Sequence, residues 1–449
     1  MTGEVLLSQC EHAGAWTGKF EQPSLPIKIM LDGPRDAPLS WRVGRGLIIA
    51  VSIVLMGYVF CVPVLAEISS EWNRCAGKNT TLDQQIDGCT VVIQSGRETP
   101  ERLVQAFMSR GFAYMTKGDY DLAIQDYDQA IRLDPLNALA LNNRGFAYGQ
   151  KRNFQLAVQD YDSAIRLDPN AVLTFYNRGE AHANMGNYDR AIMDYDQAIR
   201  LNPNFAQALV NRGFMYFTRG KYDRAIQDYD RAITLTPDVA VAFYNRGVAY
   251  AHKGDIDRAI QDYDHAIHLS PQYAWAYYRR GEAYANKRDF ERAIQDYDQT
   301  IRLDPNHAAA FNDRGFVRAS KGDLEGAIRD YSQAIWLAPD FANAFYNRGS
   351  AYTERREFDR AIQDFDQVVR LDPNFVQAFV NRGFVYATEG DYDRAILDFD
   401  EAIRLNPNFA QAFLNRGVAR LKNGDPIGGN ADIAKAKLLD PSIADYSVR

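Results

Sequence analysis

The dipeptide Arg-Gly begins at residues 110, 144, 178, 212, 246, 280, 314, 348, 382 and 416, a constant spacing of 34 residues without one insertion. Prolines keep the same register, from Pro135 and Pro169 to Pro407 and Pro441. A strict period of this length is the mark of stacked helical hairpins, each burying its apolar face against its neighbours. It overrides the roughly three domains that length alone would suggest.

Each unit reads as two helices. In the first, Phe107, Gly111 and Tyr114 fall on one helical face, and Gly118 breaks the chain. Ala123, Ile124, Tyr127, Ala130 and Ile131 form the stripe of a second helix, which Pro135 ends. Small residues at Gly111, Ala123 and Ala130 let the helices approach closely.

Outside the repeats the chain changes character. Residues 1–45 carry four prolines and no periodicity, and read as a disordered tail. Residues 46–66 hold no charge over 21 positions, long enough to cross a bilayer as a helix. Arg35, Arg42 and Arg45 precede this run, while Glu67 and Glu71 follow, which places everything after residue 66 on the exported side. Two readings stand: a retained anchor, or a signal peptide cut after Ala66. The leader is long for a signal peptide, and a start at Met30 instead of Met1 would shorten it. Beyond that segment only Cys75 and Cys89 remain, and an even pair in an exported region reads as a disulfide. Residues 82–95 echo the second helix of a repeat, so 67–103 is expected to be a cysteine-clipped capping half-repeat, followed by repeats over 104–443 and a tail over 444–449. The net charge of −7, with no Lys/Arg cluster, argues against nucleic acid.

With the Arg-Gly glycine numbered position 8 of its unit, position 4 is aromatic or Leu, position 20 is Ala in nine units, position 24 is Tyr or Phe in nine, and position 32 is Pro in all ten. This pattern resembles the tetratricopeptide repeats. The cysteine-clipped lead-in resembles exported repeat proteins of Gram-negative bacteria. The resemblance implies an all-α, right-handed superhelical solenoid of ten helix-turn-helix units, with no cofactor and no catalytic role. Departures are local: position 15 is not Gly at Arg152, Arg288 and Arg356, position 11 is His182, Arg318 or Arg420 in three units, and the last unit has a more polar second helix.

In such arrays the face carrying positions 2, 5, 6, 9 and 13 lines the groove that takes partner peptides. Position 6 is Asn at Asn143, Asn177, Asn211, Asn245, Asn347, Asn381 and Asn415, and Ser109, Arg279 or Asp313 elsewhere. A row of amides can both donate to and accept from an extended backbone. It resembles the asparagine ladder of O-linked N-acetylglucosamine transferases, although each Asn can instead bond only to neighbouring helices. Tyr176, Tyr244, Tyr278 and Tyr346 at position 5 add aromatic anchors. No Lys or Arg stands at positions 2, 5 or 9, which excludes a carboxylate clamp.

No GxSxG, HExxH or phosphate-cradling loop is present. His265 and His268 map to the outer face of a second helix and do not read as a metal site. Position 7 is Arg in every unit where the family usually has Leu, and position 23 is Asp in every unit. A buried guanidinium requires a partner. Because Gly88 stands where the preceding half-repeat would carry that Asp, Arg110 is expected to pair with Asp126 of its own unit, and Arg246 likewise with Asp262. Position 25, also Asp in eight units, faces outward on the helical wheel. The expected function is a non-enzymatic scaffold that holds partner proteins or extended peptides, membrane-attached through residues 46–66 if they are retained. The alternative is a self-associating structural protein of the cell envelope. Partner, pathway and oligomeric state are not legible.

Overall fold

The computed structural model describes residues 70–78 and 80–443, in two compact units that divide after Lys117. The expected tail at 1–45, the apolar segment 46–66 and the tail 444–449 lie outside the described residues. Among the described residues every regular element is a helix, and none is long and apolar enough to cross a membrane.

In the N-terminal unit, a short helical stretch at 70–75 packs on the helices Leu82–Gln94 and Pro100–Lys117. Thr81 caps the first of these helices. Its hydroxyl accepts from Gln84 N–H while the Gln84 side chain accepts from Thr81 N–H, which satisfies two otherwise orphaned donors. Cys75 and Cys89 are joined, with Cα atoms 4.4 Å apart, in a core shared with Val92 and Ala106. A Cβ at Gly88 would lie 2.7 Å from Arg74 Cβ, so glycine is what lets the 70–75 stretch sit on the helix.

The C-terminal unit, from Gly118, is an α-solenoid of consecutive helix-turn-helix pairs. In one pair, Ala240–His252 packs on Ile256–Leu269, which packs in turn on the next first helix, Ala274–Asn286. The glycine at position 8 sets the spacing. A Cβ at Gly247 would meet the Tyr263 ring at 2.8 Å, because the position 24 aromatic lies flat against the first helix. Tyr263 and its equivalents from Tyr127 to Phe399 are all essentially inaccessible, as are the position 20 alanines. The position 32 prolines sit in the turns that follow each second helix. In such a turn Asp304 Oδ1 accepts from Asn306 N–H at 3.1 Å.

The turn inside each hairpin requires a left-handed residue at position 15. Glycine supplies it at φ between 69° and 87° in seven units. The three departures do not change the turn: Arg152, Arg288 and Arg356 adopt φ of 61°, 59° and 62°. A side chain in that region is strained by about 1 kcal/mol. Arg288→Gly is therefore expected to stabilise the protein by about 1 kcal/mol, read as a raised urea midpoint at unchanged slope.

Candidate functional site

First helices approach one another from repeat to repeat, whereas second helices touch only the first helices on either side. The first helices therefore form the inner layer of the array, and their free stripe carries positions 2, 5, 6, 9 and 13. Leu139, Trp275 and Phe384 on that stripe are exposed.

Beneath this stripe runs a line of ion pairs. Arg246 Nε donates to Asp262 Oδ2 at 2.9 Å, and Nη2 to Oδ1 at 2.6 Å, a bidentate fork within one unit. The same fork joins Arg144 to Asp160 and Arg416 to Asp432. The third nitrogen reaches backwards. Arg246 Nη1 donates to Asp230 Oδ1 at 2.6 Å, the position 25 residue of the preceding unit. Position 25, placed outward by the wheel, thus has a partner after all: the guanidinium is long enough to reach across the seam between repeats. Where position 25 is Ser332, Arg348 Nη1 donates to its hydroxyl at 3.0 Å. In the N-terminal unit Arg110 Nη1 likewise donates backwards, to Thr90 Oγ1 at 2.9 Å. This corrects the expectation that Arg110 pairs within its own unit alone: Gly88 removes one acceptor of the half-repeat, but Thr90 supplies another. Asp126, the own-unit partner expected for Arg110, is buried in the C-terminal unit. Two carboxylates hold the Arg246 guanidinium above its ordinary value, while burial pushes the Asp262 carboxyl up against the pull of that arginine.

The departures at position 11 join the same line. Arg318 Nη1 donates to Asp330 Oδ2 at 2.9 Å, and Arg420 Nη1 to Asp432 Oδ2 at 2.9 Å. His182 Nε2 lies 4.0 Å from Asp194 Oδ2, and burial lowers its pKa, which leaves the imidazole neutral. Sequence reasoning missed this role, although all three departures are nitrogen bases, a signal that was available.

The asparagine row is tied into the scaffold. Asn211 and Asn381 donate through Nδ2 to the hydroxyls of Tyr176 and Tyr346 one repeat earlier, at 2.9 and 3.0 Å. Asn177 and Asn347 donate to Asn142 and Asn312 in the same manner, at 3.2 and 3.0 Å. Asn143 accepts from its neighbour Asn142, and Asn415 from Gln411. Asn245 is half-buried, with no side-chain bond of this kind. The aromatic anchors sit deeper than expected. Tyr176 is 9% exposed and Tyr244 only 2%, each with its ring against the buried position 24 tyrosine of its unit and the aromatic that leads into the next. Tyr346 is half-buried. Neither tyrosine 176 nor 244 offers a ring face to a partner, because the next first helix closes over it.

His265 stacks on Phe243 at 5.2 Å, with Nδ1 2.8 Å from the Gln261 carbonyl, and no group of three His, Cys, Asp or Glu among the described residues could hold a metal.

Tetratricopeptide repeat profiles match residues 138–171, 176–240, 216–274, 262–295, 281–345 and 342–375, and a TPR repeat profile matches 111–151 and 385–424. Together they span more than half of the chain, which belongs to the tetratricopeptide-repeat proteins. The family is commonly a protein–protein interaction scaffold and typically non-catalytic. A comparison with curated proteins found no match. Among solved structures, the MamA protein is 28% identical, with 39% of this chain and 95% of that chain covered at a TM-score of 0.36. A tetratricopeptide repeat protein from Parabacteroides merdae is 21% identical, with 56% and 99% covered at 0.45. The Cut9–Hcn1 hetero-tetramer of the APC/C is 14% identical, with 85% and 96% covered at 0.45.

Proposed function

We propose that this chain is a non-enzymatic scaffold that holds an extended segment of a partner protein along the inner face of its repeats, on the exported side of a membrane. The row of position 6 amides carries the reading. At Asn347 and Asn381 the donor nitrogen is fixed to the preceding repeat, which presets the amide and leaves Oδ1 to accept from a partner's backbone N–H, whereas Asn177, expected in the same row, is buried at 9% exposure. Asn245, with no such tether, has its whole amide available. The buried Cys75–Cys89 pair supports an oxidising compartment, and the uncharged run at 46–66 supports a retained anchor or a signal cut after Ala66. N-terminal sequencing of the protein from cells separates those two.

Cross-linking in the native envelope, followed by mass spectrometry, identifies the partner. With that partner in hand, Asn211→Ala combined with Asn245→Ala is expected to weaken capture at least about tenfold. The melting temperature of the pair should move only slightly, since one inter-repeat hydrogen bond contributes about 1 kcal/mol. Undiminished capture by the pair would remove the amides from the binding surface.

A further inference from the structure

The amide row is interrupted at one place. In the helix Ala274–Asn286 and its successor Ala308–Ser320, position 6 is Arg279 and then Asp313, position 9 of the first is Glu282, and position 2 is Trp275. The interruption is a built cluster. Tyr278 hydroxyl donates to Asp313 Oδ2 at 2.7 Å, and Asn312 Nδ2 donates to Asp313 Oδ1 at 3.0 Å. Arg279 Nη1 donates to Glu282 Oε2 at 2.9 Å. One guanidinium thus faces two carboxylates. Burial pushes the Glu282 carboxyl up to about 7 and raises that of Asp313, so both lack sufficient positive charge nearby.

Trp275 is 40% exposed at the edge of the cluster, and its ring lies 4.7 Å from that of His307. His307 is buried, at 7% exposure, and also packs 4.6 Å from Tyr278. Its Nδ1 accepts from Ala310 N–H at the start of its own helix, so Nε2 carries the proton, on a ring that packs against Trp275 and Tyr278. Nε2 has no partner, and neither has Arg279 Nε. Unmet buried donors are rare in a settled interior and destabilise it. Here both belong to side chains of this cluster, with an exposed tryptophan and two carboxylates that share one guanidinium. Along the inner stripe from residue 172 to 354, Glu180, Glu282, Asp313 and Glu354 stand against Arg279 alone. Glu180 is held by Tyr176 hydroxyl at 2.9 Å and has no cation beside it.

We propose that this cluster is a seat for a Lys or Arg side chain of the bound segment, which fixes the register of a basic peptide along the groove. The incoming cation lies against the Trp275 face and between Glu282 and Asp313, and a backbone carbonyl of the same segment accepts a hydrogen bond from His307 Nε2–H. The inference rests on the groove reading above and gives it a chemical class of partner.

The test measures fluorescence anisotropy of three labelled peptides, of alternating Lys-Thr, Gln-Thr and Glu-Thr, on the full-length chain at physiological salt. The Lys peptide is expected to bind at least about tenfold tighter than the Gln peptide, and the Glu peptide weakest. Glu282→Gln with Asp313→Asn should erase that preference, so that the Lys and Gln peptides bind the variant alike. Asn is already the position 6 residue of seven units, so the variant follows the array's own pattern. The control Asp257→Asn with Glu291→Gln makes the same charge change on the exposed outer pairs with Lys287 and Lys321, and should keep the preference. Equal binding of the Lys and Gln peptides, or equal loss in both double variants, overturns the seat while the groove stands. Failure of all three peptides to bind overturns the groove reading itself, and the seat with it.

Discussion

Asp262→Ala is expected to destabilise the repeat that carries it by about 3–5 kcal/mol, the magnitude for removing one partner of a buried pair. Asp262 is 4% exposed and holds both Nε and Nη2 of Arg246. Its loss strands a guanidinium that the remaining contact, with Asp230, satisfies through one nitrogen only. Asp230→Ala makes the comparison. That side chain is 49% exposed, and water can replace it at Arg246 Nη1, so the expected loss is under about 1 kcal/mol. Because each repeat touches only its neighbours, the effect is local, and amide hydrogen exchange over Ala240–His252 and Ile256–Leu269 is the measurement to make. Equal loss of protection in the two variants would mean that the fork within the unit is no stronger than the link to the preceding one.

Tyr297→Ala is expected to cost about 3–5 kcal/mol, and Tyr297→Phe about 1 kcal/mol or less. The ring is 1% exposed and lies against Gly281, whose added Cβ would come within 2.9 Å of Tyr297 Cε1. Truncation leaves a cavity in the seam that the glycine was needed to create. Phe365 and Phe399 already fill the same position, at 0% and 1% exposure, so the ring and not the hydroxyl is what the site requires. Urea denaturation of both variants reads the difference. A Phe variant as unstable as the Ala variant would show that the hydroxyl matters.

The repeat was legible because its period is a property of sequence alone, and the one-for-one match of position 7 with position 23 pointed to a fork such as that of Arg246 and Asp262. What escaped detection lies between units. A helical wheel assigns Asp230 to the outside because it describes one isolated helix, yet an arginine one repeat later reaches it. The same limit hid the tethering of Asn381 to Tyr346 and the burial of Tyr244, since both depend on how closely successive first helices stack. The wheel found the inner stripe of the candidate site, but could not tell which of its side chains the neighbouring repeat already occupies. Arg279 and Asp313 were visible as exceptions to the row, whereas Trp275 and Glu282 drew no notice. Their common location became apparent only when Tyr278 was seen to bridge from one helix to the next.

The backward reach of each arginine gives the array a direction of growth. Every unit brings a cation that finds an oxygen on its predecessor, and eight of the ten offer in return an outward acid that water can serve. Loss of the last repeat therefore uncovers only the half-exposed Asp400, which water can serve. A repeat exposed by trimming at the other end would leave a half-buried guanidinium one oxygen short. Thr90 is the answer to that problem at the start of the chain: an uncharged acceptor that closes the series without demanding a partner of its own. Loss of whole repeats is thus tolerated best from the C-terminal side, and the beginning of the array is the part that has to be made once and kept.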